Sequence, residues 1–163
     1  STGASWWRAD AGMTALPGDG VRLTVLHPGS DAPVARDPAL GIPSDPNDVS
    51  VVLLVEWGAA AILLTGDAYV PVEEAILSDL PPLTVLKVGH HGSRTSTSAA
   101  LLERTRPQWA LIPAGDGNRF GHPHPEVTDR LEAAGARILR SDRDGHVRLR
   151  IRRDGRVTVD TGF

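Results

Sequence analysis

The sequence predicts an α/β fold, on three observations. AAAILLTGD (59–67) and LTVLKVG (83–89) are apolar runs that flank a segment with helical spacing, VEEAILSDL (72–80). WALIPAG (109–115) repeats the alternation and is followed by a second helical pattern, HPEVTDRLEAAG (124–135). Strands alternating with helices of this length make β-α-β units, whose crossovers are right-handed and whose strands run parallel. The chain has 163 residues, 40% hydrophobic and 23% charged, which suits one domain with a sizeable core.

The elements follow in order. VRLTVLHP (21–28) alternates and stops at proline, as a strand does. GSDAPVARDPALGIPSDPND (29–48) is dense in Pro, Gly, Asp and Ser and reads as an exposed loop. VSVVLLVEW (49–57) and the run from Ala59 are separated around Gly58, the pattern of a hairpin between buried strands. Pro71 falls where the first turn of a helix tolerates it. SAALLERT (98–105) reads as a helix capped by Thr97 or Ser98, with Pro107 beyond its end. Gly135 stops the helix of 124–135. ARILRS (136–141), HVRLRIRR (146–153) and RVTVD (156–160) read as short additional antiparallel strands, separated by DRDG and RDG turns.

Composition excludes several chemistries. There is no cysteine, so thiolate metal sites, disulfides and cysteine nucleophiles are absent. No apolar run approaches the roughly 20 residues that span a bilayer, and no signal peptide is expected. Lys87 is the single lysine among sixteen arginines. Residues 1–80 hold three arginines against eleven acids, whereas residues 81–163 hold fourteen bases against nine acids, balances of −8 and +5. Such asymmetry can mark an anionic partner or two halves that fold against each other.

The polar residues collect at strand ends. Asp67 ends one strand, and His90 and His91 end the next within VLKVGHHGSRTS (85–96). In a parallel unit both ends lie on one sheet edge, where α/β sheets bind their ligands. The following strand delivers DGNRFGHPHP (116–125), with Asn118, Arg119, His122 and His124, to the same edge. Imidazole and carboxylate suit Zn, Mn or Fe, and a bridging aspartate can hold two ions. Each residue has a plainer reading too. Asp67 could cap the next helix, one of the paired histidines could be a packing residue, and Thr95 and Ser96 read as helix-entry residues. His27 reads as structural and His146 as a surface residue. Ser93 lacks the G-x-S-x-G elbow of a serine hydrolase.

Taken together, ILLTGD, LKVGHHGSRTS, PAGDGNRFGHPHPEV and DRDGHVRLRI resemble metallo-β-lactamase-fold proteins, and most of all the carboxyl-terminal domain of ComEC-type competence proteins. The resemblance runs from NDVSVVL at 47 to VRLRI at 151. It implies a single domain over 1–163, an αββα sandwich of two sheets between helices, incomplete at its amino terminus. It makes Asp67 a bridging metal ligand and His91 a histidine ligand, with His90 facing the substrate, although the two histidines could exchange roles. Asn118 and His122 would line the pocket near the scissile phosphate, and Ser93, Arg94 and Arg119 would bind substrate. The implied cofactor is a divalent metal, two Mn or Zn ions in a complete domain. The first metal motif of that fold, H-x-H-x-D-H, has no counterpart in residues 1–66. The chain is therefore expected to hold a minority of the ligands and to bind metal weakly, if at all.

Two classes of function follow from that resemblance. One is a metal-dependent phosphodiesterase acting on DNA during uptake, or a metallohydrolase of the same fold with another ester substrate. The other is a non-catalytic module that binds nucleic acid or a partner. Expected partners are DNA and the membrane-channel portion of the same parent protein, without a small-molecule cofactor, on the outer side of a bacterial inner membrane.

Overall fold

Seven strands form one mixed sheet whose spatial order is the chain order. They are β1 (Thr14–Gly18), β2 (Val21–His27), β3 (Val52–Trp57), β4 (Ala60–Leu64), β5 (Val85–Lys87), β6 (Trp109–Ile112) and β7 (Arg137–Arg140). The computed structural model describes residues 8–29 and 45–163. The expected loop of 29–48 therefore lies mostly outside the described residues. Strands β1 to β4 pair antiparallel, and β4 to β7 pair parallel. Each parallel step is made by a crossover helix: α1 (Val70–Ile76), α2 (Ala99–Thr105) and α3 (Pro125–Ala133). Beyond β7 a single helical turn, α4 (Ser141–Asp144), leads to a separate antiparallel hairpin of β8 (His146–Ile151) and β9 (Val157–Gly162).

Because β4 to β7 advance in one direction, right-handed crossovers put all three helices on one face. Leu54, Leu63, Leu86, Ala110 and Ile138 stand in register across that face. They form the core with Val72 and Ile76 of α1, Leu101 and Leu102 of α2, and Val127 and Leu131 of α3. The other face carries Val55, Ile62 and Val85 in one row and Leu53, Leu64, Lys87, Leu111 and Leu139 in the next. It too is apolar, yet Leu64 remains 37% exposed.

Three expectations need correction. ARILRS forms β7, which pairs parallel with β6 in the main sheet and is not an antiparallel addition. The DRDG turn is helical, with the Asp144 carboxylate accepting from the Arg140 N–H. Strand β1 was not anticipated; it holds Pro17, which a sheet tolerates at its edge. Of the expected two-sheet sandwich, the described residues form the seven-stranded sheet and a two-stranded one.

One buried carboxylate ties the helices to the loop after β5. Glu73 of α1 is 1% exposed. Its two oxygens accept the backbone N–H groups of Thr97 and Ser98, the second at 2.8 Å. From the other side Arg130 of α3 donates to the carbonyls of Ser96 and Thr97 at 3.1 and 3.2 Å. Ser98 itself caps α2, its hydroxyl accepting from Leu101. Glu73→Ala should leave two buried N–H groups without acceptors and lower stability by on the order of 2–4 kcal/mol. Glu73→Gln, with a single acceptor oxygen, should fall between the two; urea unfolding of the three proteins measures the series.

Candidate functional site at the carboxyl edge of the sheet

The loops that follow β4, β5 and β6 are joined by their backbones. The His90 N–H donates to Gly66 O at 3.2 Å, and the His124 N–H donates to Gly92 O at 3.0 Å. The turn that presents the paired histidines is left-handed at both, with φ 43° at His90 and 55° at His91. Such backbone costs on the order of 1–3 kcal/mol per non-glycine residue and persists only where neighbours enforce it. Gly92 continues the turn at φ +84°, and a Cβ there would lie 2.5 Å from the Cβ of Pro123, so the approach of the third loop requires glycine.

Asp67 and His91 converge as the β-α-β reading expects. His91 Nδ1 lies 2.6 Å from Pro113 O; a carbonyl can only accept, so Nδ1 carries the proton. Nε2 is thereby left as the free ring nitrogen, 3.6 Å from Asp67 Oδ1, too far for a hydrogen bond. A histidine fixed through one nitrogen to a carbonyl, with the other bare, has the orientation that metal-ligating imidazoles adopt. Asp67 is positioned in turn by its own N–H, which donates to Ser50 Oγ at 3.2 Å.

The only lysine enters the same space. Lys87 Nζ donates to Gly66 O and lies 3.7 Å from Asp67 Oδ1. Burial pushes its pKa down, and the Asp67 carboxylate works against that shift. Its ammonium already balances part of the negative charge at Asp67.

Four imidazoles line the edge. His90 stands between Tyr69 and His122, with ring centres 5.4 and 5.7 Å away, and its buried Nδ1 has no hydrogen-bond partner. His122 contacts His124 at 5.0 Å and stacks on Phe120 at 5.8 Å. Burial lowers the His122 pKa, and the charges of His124, His90 and His91 lower it further, against Asp67. A cavity of about 190 Å³ opens between His91, Pro113, Gly115, Asn118, Phe120 and His122.

The other candidates make contacts of their own. Asn118 donates to His122 O at 2.7 Å and accepts from His122 N at 2.9 Å, so its amide braces the loop that carries His122. Ser93 is buried, with its hydroxyl 3.0 Å from Thr95 Oγ1. Arg94 is turned to Glu126 at 3.2 Å, and Arg119 lies over Phe120 at 5.0 Å. His27 is structural as expected, 4% exposed, with Nδ1 2.9 Å from Ser50 O. Sequence reasoning missed Tyr69, Pro113, Ser50 and Phe120. Only Phe120, an aromatic within the histidine loop, carried a signal.

The donors suit a divalent metal in type, and the orphaned Nδ1 of His90 is a spare donor. In number they fall short: among the described residues no group of three His, Cys, Asp or Glu could hold an ion.

Acid should weaken the fold through His122. Its folded pKa lies below the ordinary 6.5, so the unfolded chain binds the proton first as pH falls. Stability is then lost from about that ordinary value down to the lowered folded one, and His122→Gln should flatten this segment of a stability–pH curve measured by urea unfolding.

No model of a known family matches the chain. ComE operon protein 3 of Bacillus subtilis is 38% identical over 121 residues, 73% of this chain and 15% of that protein. Recombination protein 2 of Haemophilus influenzae is 40% identical over 108 residues, 66% and 14% of the two chains. Competence protein ComA of Neisseria gonorrhoeae is 37% identical over 114 residues, 68% and 16%. A crystal structure named as that of a metal-dependent hydrolase from Parabacteroides distasonis shares 12% identity at a TM-score of 0.48, over 81% of this chain and 56% of that one, a likeness too loose to transfer chemistry. The chain spans about a seventh of the length of the curated relatives it matches. Over that shared segment it belongs with the ComEC-type competence proteins.

Proposed function

We propose that the chain supplies part of a metal-dependent phosphodiesterase acting on DNA during its uptake, within a metallo-β-lactamase-like sandwich. The observation that carries the reading is the convergence of Asp67 with an His91 whose Nδ1 is held by Pro113 and whose Nε2 is bare. The names of the relatives support competence as the setting. The partly exposed apolar face of the main sheet supports a second sheet packed against it, since central parallel strands are covered on both sides. The membrane channel of the parent protein as partner, and a place outside the inner membrane, belong to the same proposal. No helix among the described residues is long and apolar enough to cross a membrane.

Asp67 and His91 would hold the metal, with further ligands from outside the described residues. When bound, the ion supplies charge for a phosphate oxygen and acidifies water. The chain's own residues act around it. Pro113 fixes the His91 tautomer, Asn118 holds the His122 loop, and His122, kept neutral by burial, can exchange a hydrogen bond with a phosphate oxygen. His90, with Nδ1 uncommitted, stands beside it.

A second reading, a nucleic-acid-binding module without catalysis, is favoured by Lys87, which puts a cation beside Asp67. The two are separated by measuring metal content and DNA cleavage together, in a protein containing this chain and the remaining ligands. Asp67→Ala and His91→Ala should lose metal and nearly all cleavage. His122→Ala should keep the metal and slow cleavage by on the order of a hundredfold, as loss of one stabilising donor does. An Asp67→Ala protein that keeps both would overturn Asp67 as a metal ligand, whereas an unsubstituted protein that binds DNA without metal and without cleaving it would establish the binding module instead.

A further inference from the structure

Opposite the histidines lies the other edge of the sheet, where β4 to β7 begin. Trp109 and Arg137 are the first residues of β6 and β7 and stand in register, with the Arg137 guanidinium 5.1 Å from the indole centre. The turn between β8 and β9 is pinned beside them. Within it the Arg152 N–H donates to Arg156 O at 2.8 Å, and the Ala59 N–H after β3 donates to Arg153 O at 2.9 Å. Gly58 makes that docking possible, because a Cβ there would lie 2.2 Å from Arg153 O. The result is a cavity of about 730 Å³ lined by Trp109, Arg137, Arg152, Asp154 and Arg156. Asp154 is taken by Arg156 at 2.7 Å, whereas Arg137 and Arg152 pair with no carboxylate among the described residues. Arg150 and Arg148 continue from Arg152 along the exposed face of β8.

We propose that this edge is a second DNA-binding site, separate from the histidine edge, which takes the phosphodiester backbone. The proposal rests on the reading of DNA as substrate. Guanidinium forks match phosphate oxygens, and their positions here are set by a docked turn and a stacked indole, so little side-chain freedom is lost on binding. Arg148, which lies 4.0 Å from the Asp160 carboxylate, Arg150 and Arg152, just past the end of β8, extend over roughly 13 Å of chain, longer than one phosphate, which favours a polyanionic strand over a mononucleotide.

The test is the anisotropy of a labelled oligonucleotide titrated with the 163-residue chain across a salt series, with chelator present. R137Q/R152Q/R156Q should weaken binding about tenfold or more and flatten the log–log salt slope by about two. R137K/R152K/R156K should keep the slope. Should the glutamine triple melt early, R137Q and R152Q alone should each lower the slope by about one. An unchanged slope in the glutamine variants overturns the proposal, as does binding to phosphatidylglycerol vesicles without binding to the oligonucleotide. If the unsubstituted chain fails to bind the oligonucleotide while the larger protein still cleaves DNA, this second site alone falls. If neither occurs, the DNA reading falls with it.

Discussion

The carboxylate of Glu73 is the constraint on which the site depends. It lies in the core, where an ion without partners would be untenable, and it is satisfied by two backbone N–H groups at the start of α2. Arg130 takes the carbonyls of the same stretch. The segment from Ser96 to Ser98 is thus gripped by a helix on each side. Ser96 passes the constraint on, its hydroxyl donating to Gly89 O at 2.7 Å, the residue before the paired histidines. Two successive left-handed histidines persist where their surroundings over-determine the loop, and this clamp is one of those constraints.

That rigidity gives the edge its chemistry. A bare Nε2 on His91 requires that Nδ1 be committed elsewhere, and Pro113 belongs to a different strand end. The electrostatics of the site therefore depend on how β5 and β6 pair. Lys87 adds an internal cation to the same group. Among the described residues the arrangement has the donor types of a metal site without their full number.

The two edges of the sheet differ in kind. The carboxyl edge gathers imidazoles and one carboxylate, groups that change protonation or bind metal. The amino edge gathers guanidiniums, which do neither and suit a fixed anion.

The sequence by itself determined the alternation of strands and helices, because apolar runs and helical spacing are local, and it placed Asp67 and His91 together, because right-handed crossovers leave little choice of topology. It also marked His27 as structural. Tertiary structure decided what local pattern cannot express. The parallel pairing of β7 follows from α3 crossing back over the sheet. Asn118 and Ser93 look like site residues in sequence, and the structure shows their side chains bonded within their own loops, Asn118 to the backbone of His122 and Ser93 to the hydroxyl of Thr95. Glu73 and Arg130 look like solvated helix charges, and they are the clamp. Their partners lie 24 to 34 residues away along the chain, and a hydrogen bond at that separation is set by packing rather than by spacing.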